Sequence, residues 1–101
     1  MGRNLPKPPR KVDLHTDSFL KNLDQYDPDE LLIQSIDRLR DSLDAAIYWE
    51  YIEIQFIHGK GKGILRKEIY RVLEDYKSSG AISHYYQSYQ NPDIVVVIIG
   101  M

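Results

Sequence analysis

Hydrophobic residues recur along this chain with two periods, and the order in which those periods alternate leaves few folds open. Val12-Asp13-Leu14-His15 alternates apolar and polar. That makes a short strand with Val12 and Leu14 on one face, Asp13 and His15 on the other. Leu32, Ile36, Leu39, Leu43 and Ile47 then recur at steps of three or four, one stripe of a helix of about five turns. Its outer face, with Asp37, Arg38, Arg40, Asp41 and Asp44, reads as solvated. Tyr51 to His58 alternates again, with Ile52, Ile54, Phe56 and His58 on one face and Tyr51, Glu53, Gln55 and Ile57 on the other. Ile64, Leu65, Ile69, Val72, Leu73 and Tyr76 form the apolar face of a second helix. Ile82 to Tyr89 reads as a third strand. Ile94 to Ile99 is β-branched without polar alternation, which suits a strand covered on both faces. The order βαβαββ predicts an α/β layer fold whose last two strands form a hairpin.

The boundaries carry their own signals. Asp27-Pro28-Asp29-Glu30 is a helix start: Asp27 can cap, Pro28 suits the first helical position and Glu30 completes a capping box. Ser78-Ser79-Gly80 stops the second helix, and Gln90-Asn91-Pro92-Asp93 is a turn. Between the first strand and first helix lies a long connection anchored by Phe19, Leu20 and Leu23, read as a functional loop or one holding a short helical turn. Residues 1–10, with Pro6, Pro8 and Pro9, read as a flexible arm or linker. Such a linker would join residues 11–101, the folded domain, to a covalent N-terminal partner domain.

The chain's 101 residues fit one domain with one core. It has no Cys, which removes disulfide scaffolds, thiolate catalysis and Cys-based zinc sites, and fits a reducing compartment such as the cytoplasm. The longest apolar run, Ile94 to Ile99, is far short of the roughly 20 residues that span a bilayer, so no membrane partner is expected. The net charge of −2 hides an asymmetry. Residues 12–53 hold eleven acids against three bases, whereas residues 54–77 hold six bases against three acids. A local basic cluster attracts phosphate even here, because salt screens distant acids over roughly 8 Å.

Strand topology brings the chemistry together. Strands joined by a helical crossover run parallel in one sheet, so the carboxyl ends of the first two share an edge, where open α/β sheets place ligands. His15 ends one and His58 the other. Three glycines in Gly59-Lys60-Gly61-Lys62-Gly63 leave backbone N–H groups uncovered just where the second helix begins. With Lys60, Lys62, Arg66 and Lys67 this makes an anion pocket, suited to phosphate. It is neither a Walker loop nor G-x-G-x-x-G.

Two motifs then carry a family resemblance. Val12-Asp13-Leu14-His15 resembles the L-D-x-H motif of the Smr (small MutS-related) domain. Ile57 to Arg66, with His58-Gly59-Lys60-Gly61-Lys62-Gly63-Ile64-Leu65, is similar to that family's H-G-x-G segment followed by x-G-x-L-[R/K]. The resemblance covers about residues 11–100. It implies a two-layer α/β sandwich, with two helices on a four-stranded mixed sheet. It also implies DNA or RNA as partner, nicking endonuclease activity, and a link to DNA mismatch repair or recombination control. The family's first-motif acid and imidazole fall on Asp13 and His15, and its second-motif imidazole and glycines on His58, Gly59 and Gly61. Two departures stand out: Thr16 follows the first His where many members have Gly, and Pro92-Asp93-Ile94-Val95 replaces a Gly-rich segment before the last strand.

The expected catalytic residues are therefore Asp13, His15 and His58, and the expected phosphate ligands Gly59, Lys60, Gly61, Lys62, Gly63 and Arg66. One carboxylate and two imidazoles are also a donor set for a divalent metal ion. Three readings compete: a nuclease, a DNA- or RNA-binding module that does not cut, and a protein-interaction domain whose pocket takes an acidic peptide. Asp13 and His15 can also be a strand-end pair that holds a loop, and His58 a satisfied terminal histidine. His84 reads as structural or surface. Tyr85, Tyr86 and Tyr89 suit sheet packing first and base stacking second.

Overall fold

The computed structural model describes residues 5–59 and 63–100. Along them run β1 (Lys11–Asp13), α1 (Pro28–Tyr48), β2 (Glu53–Ile57), α2 (Ile64–Ser78), β3 (His84–Gln87) and β4 (Ile94–Ile98), in the expected order. The long connection after β1 holds two single helical turns, Thr16–Ser18 and Leu23–Gln25.

Local chemistry sets the helix ends. The Asp27 side chain accepts from the Glu30 N–H at 2.8 Å, the Glu30 side chain accepts from the Asp27 N–H at 2.9 Å, and Pro28 opens the first turn of α1. At the end of α2 the Ala81 N–H reaches back to the Tyr76 carbonyl at 2.9 Å and the Gly80 N–H to Lys77 at 3.0 Å, closing the last turn on itself.

The strands form one mixed sheet in the order β1-β2-β4-β3. β1 is parallel to β2, and β4 is antiparallel to both β2 and β3. The carboxyl ends of β1, β2 and β3 therefore share one rim with the start of β4. Val12, Ile54, Phe56, Val95 and Val97 join Leu39, Leu43, Ala46, Ile69, Val72 and Leu73 in one buried cluster. Those strand residues share one face of the sheet, so both helices lie on that face and the molecule is a two-layer sandwich. Each fully buried aliphatic side chain contributes about 1.5–3 kcal/mol relative to exposure. β4 is central, and Ile94 to Val97 are buried on both faces, as the unbroken apolar run predicts. On the face without helices, Ile94 pairs with Ile57, and Val96 lies between Gln55 and Tyr86.

Four details differ from the periodicity. The second strand begins only at Glu53: Glu50 has φ 61°, and the Tyr51 N–H still bonds the Ala46 carbonyl of α1. The chain is turning there, so Tyr51 is 9% exposed and Ile52 65%, the reverse of the alternation. The first and third strands are shorter than read, ending at Asp13 and spanning His84–Gln87. Ile64 opens α2 and is exposed, so the buried stripe begins at Leu65. On α1, Arg38 and Asp44 are not simply solvated. Arg38 Nε donates to the Asp13 carbonyl at 3.0 Å, and Asp44 accepts from the Tyr76 hydroxyl at 2.7 Å. Burial, helped by that bond, pushes Tyr76 up to about 12.

The described part of the arm is extended. The Leu5 carbonyl accepts from Trp49 Nε1 at 3.0 Å, the Pro8 carbonyl from the Tyr51 hydroxyl, and the Arg10 carbonyl from the Gln55 N–H at 2.8 Å. Among the described residues no helix is long and apolar enough to cross a membrane.

Candidate functional site

Asp13 is the last residue of β1, and its side chain points away from the helices. One carboxylate oxygen, Oδ1, accepts the His15 backbone N–H at 2.9 Å and faces ring Nδ1 at 2.8 Å. A carboxylate only accepts, so Nδ1 carries the hydrogen, and in the neutral ring Nε2 is the acceptor. The pair is half-buried and the imidazole is fixed in both tautomer and direction. The segment is held from behind by α1. Buried Ser35 donates to the Leu14 carbonyl at 2.7 Å, and Arg38, which bonds the Asp13 carbonyl, also lies 4.8 Å from the Phe19 ring.

His15 reaches across the rim to the end of β2. A Cβ built on Gly59 would stand 1.8 Å from His15 Nε2 and 2.3 Å from Cε1, so the imidazole occupies the space a side chain at 59 would need. Gly59 also has φ 75°, a conformation that costs other residues about 1–2 kcal/mol. The His58 and Gly59 N–H groups both bond the Asp93 carbonyl, at 2.9 and 3.2 Å, which ties this corner to the turn before β4.

His58 itself points to the helix side and is 4% exposed. Its Nδ1 lies 2.9 Å from the Gly59 carbonyl, so Nδ1–H donates and Nε2 is an acceptor. That buried Nε2 has no hydrogen-bond partner among the described residues. Burial holds the His58 pKa below the ordinary imidazole value, against the pull of the Gly59 bond; the Arg66 charge lowers it further. His58 is therefore a neutral ring behind the glycine corner.

α2 begins immediately beyond, with Gly63 as its N-cap at φ 83° and no side-chain cap. Its first-turn N–H groups have no partner within the helix, and the helix dipole favours an anion there. Arg66, on that turn, donates to Gln87 Oε1 at 2.7 Å and lies 5.5 Å from the Tyr70 ring, so the guanidinium is aimed. These groups line a cavity of about 490 Å³ that contains His15, His58, Gly59, Gly63, Arg66, Gln87 and Asp93.

Of the expected site residues, Asp13, His15, His58, Gly59, Gly63 and Arg66 are brought to this one rim. Lys60, Gly61 and Lys62 lie outside the described residues. Sequence reasoning missed Ser35, Arg38, Gln87 and Asp93. Nothing in a helical stripe marks a buried serine as a backbone clamp, whereas Asp93 stood in a segment already noted as a departure. Tyr85 faces the helices, packs edge-on against Tyr70 and donates to Glu74 at 2.6 Å, a bond that pushes it up to about 12. Tyr86 is on the other face and Tyr89 is almost wholly exposed. Tyr85 is thus a packing residue.

The metal reading finds little here. Asp13 Oδ1 is taken twice by His15, and His15 Nδ1 is taken by Asp13. Among the described residues no group of three or more His, Asp or Glu stands ready to hold an ion.

The family model of the Smr domain matches residues 32–98, about two-thirds of the chain. The match takes in His58, the glycine loop, both later strands and most of α1, and begins after the Asp13–His15 segment. No curated protein matches the chain.

Proposed function

The chain belongs to the Smr domain family, and from that premise we propose that it binds DNA or RNA through the cavity beside His15 and cuts the strand there. Smr domains act on nucleic acid, and several nick or cleave it. What carries the reading for this chain is one juxtaposition: an aspartate-oriented imidazole lies against the glycine corner that opens into an uncapped helix N-terminus.

In this reading a backbone phosphate sits at the first turn of α2, held by its N–H groups and Arg66, with Lys60 and Lys62 adding charge. His15, which lines the cavity, takes through Nε2 the proton of the attacking oxygen, a water or a ribose hydroxyl, as that oxygen bonds to phosphorus. The P–O bond to the other strand end breaks, and the leaving oxygen takes a proton from solvent or from the imidazolium. Asp13 holds the tautomer and stabilises the imidazolium that forms. His58 is a positioning residue. Its Nδ1–H fixes the Gly59 carbonyl and so the corner on which His15 rests. Preorganised donors aimed at the phosphoryl oxygens stabilise the charge that builds during displacement.

The test is nicking of supercoiled plasmid and cleavage of a short RNA by wild type, Asp13→Ala and His15→Ala, with circular dichroism to show that each variant folds. Loss of cleavage with retained binding is expected. Unchanged cleavage by both variants rejects the assignment. Binding without cleavage by wild type leaves a non-catalytic nucleic-acid module. Binding of an acidic peptide in place of nucleic acid identifies an interaction domain.

A further inference from the structure

The sheet face without helices ends in a short column of aromatic rings. His84 and Tyr86 share that face of β3, two residues apart, with ring centroids 5.7 Å apart and planes 29° from parallel. Tyr89 continues the column just past the strand, 5.4 Å from Tyr86 and 28° from parallel. Tyr89 is 93% exposed, so its outer face is open. Polar rims and flat π faces in a row are what a nucleobase stacks upon, and stacking tolerates any base.

The column's position selects its occupant. β3 runs toward the rim that carries the site, because Gln87 pairs with Val95 and Ile57 with Ile94. Gln87 lines the cavity and holds Arg66. One residue on, the Ser88 N–H bonds the Ile94 carbonyl, and Tyr89 follows. The column therefore ends open at the same rim as the cavity, on the opposite face of the sheet, and β3 connects the two. We propose that Tyr89, backed by Tyr86 and His84, is the stacking seat for an unpaired base on the strand whose phosphate occupies the His15 cavity. This rests on the nucleic-acid reading and adds to it that the bound strand is locally single-stranded. A base in a duplex is already stacked on both faces and has none to offer.

Fluorescence anisotropy with short labelled strands tests it: oligo-dT, oligo-rU and an abasic strand of equal length. Tyr89→Ala should weaken oligo-dT or oligo-rU binding about 5- to 100-fold and leave the abasic strand unchanged. Tyr89→Phe should bind as wild type. The strand that responds identifies DNA, RNA or both as the source of the base. Equal binding by wild type and Tyr89→Ala overturns the stacking seat while leaving the phosphate site standing. An equal loss on the abasic strand also overturns it, since the ring would then act on the backbone. Failure of wild type to bind any strand overturns both readings.

Discussion

Gly59 and His15 share one volume: the imidazole lies where any side chain at 59 would be. Forty-four positions separate them in sequence, yet no side chain fits at 59 while the ring is in its seat. Gly59→Ala should cost about 1–2 kcal/mol from its positive φ, and more from the clash. The ring of His15 should be expelled from its seat. A lower Tm, a shifted His15 Cε1–H resonance and loss of cleavage are the expected results. An unmoved resonance would mean that the two groups are not in contact.

His58 sets a pH dependence. Its pKa is lowered in the folded state, chiefly by burial, so below about 6.5 the unfolded chain binds the proton more tightly than the folded one. Its contribution is fully present above that pH and is lost as pH falls through the folded value. Thermal melts between pH 7.5 and 5 should show a falling Tm, and His58→Gln should flatten that slope. An equally steep slope in the variant would place the proton elsewhere.

Ser35→Ala removes the only hydroxyl that reaches the Leu14 carbonyl from α1 among the described residues. A buried acceptor left bare costs about 1–3 kcal/mol, a sizeable share of the roughly 5–15 kcal/mol that holds a domain together. Urea unfolding should show the loss with an unchanged m-value. A midpoint equal to wild type would show that the carbonyl finds another donor.

Asp93 lines the cavity assigned to an anion, and its negative charge acts on His58 there. Asp93→Asn keeps the backbone carbonyl that anchors His58 and Gly59 and removes the charge. Oligonucleotide affinity should rise severalfold at low salt, and the gain should shrink as salt is added. Weaker binding would mean that the carboxylate contributes something other than repulsion.

What the sequence made legible was local or topological. Asp27 and Glu30 cap each other within one turn, so four letters suffice. Asp13, His15, His58 and Gly59 meet because a parallel β1–β2 pair puts their strand ends on one edge, and a right-handed crossover needs no contact map to say so. What escaped depended on small departures from regular geometry. A left-handed Glu50 exchanged the places of Tyr51 and Ile52. The starting residue of α2 moved Ile64 out to solvent. Ser35 and Arg38 escaped because their partners are main-chain carbonyls more than twenty residues away, which no periodicity encodes. The split between Tyr85 and Tyr86 is plain alternation, but which of the two faces lay open depended on both helices covering the same side.

The placement of β4 between β2 and β3 has a consequence for assembly. A polypeptide that stops at the 88–93 turn has a β1–β2 pair and an unpaired β3, and Asp93 has nowhere firm from which to hold the glycine corner. Insertion of the final strand is the keystone event, closing a pairing that spans 45 positions from Glu53 to Ile98. Competence at the rim should therefore arrive all at once, when β4 is in place, and no fragment that stops before Ile94 should possess it.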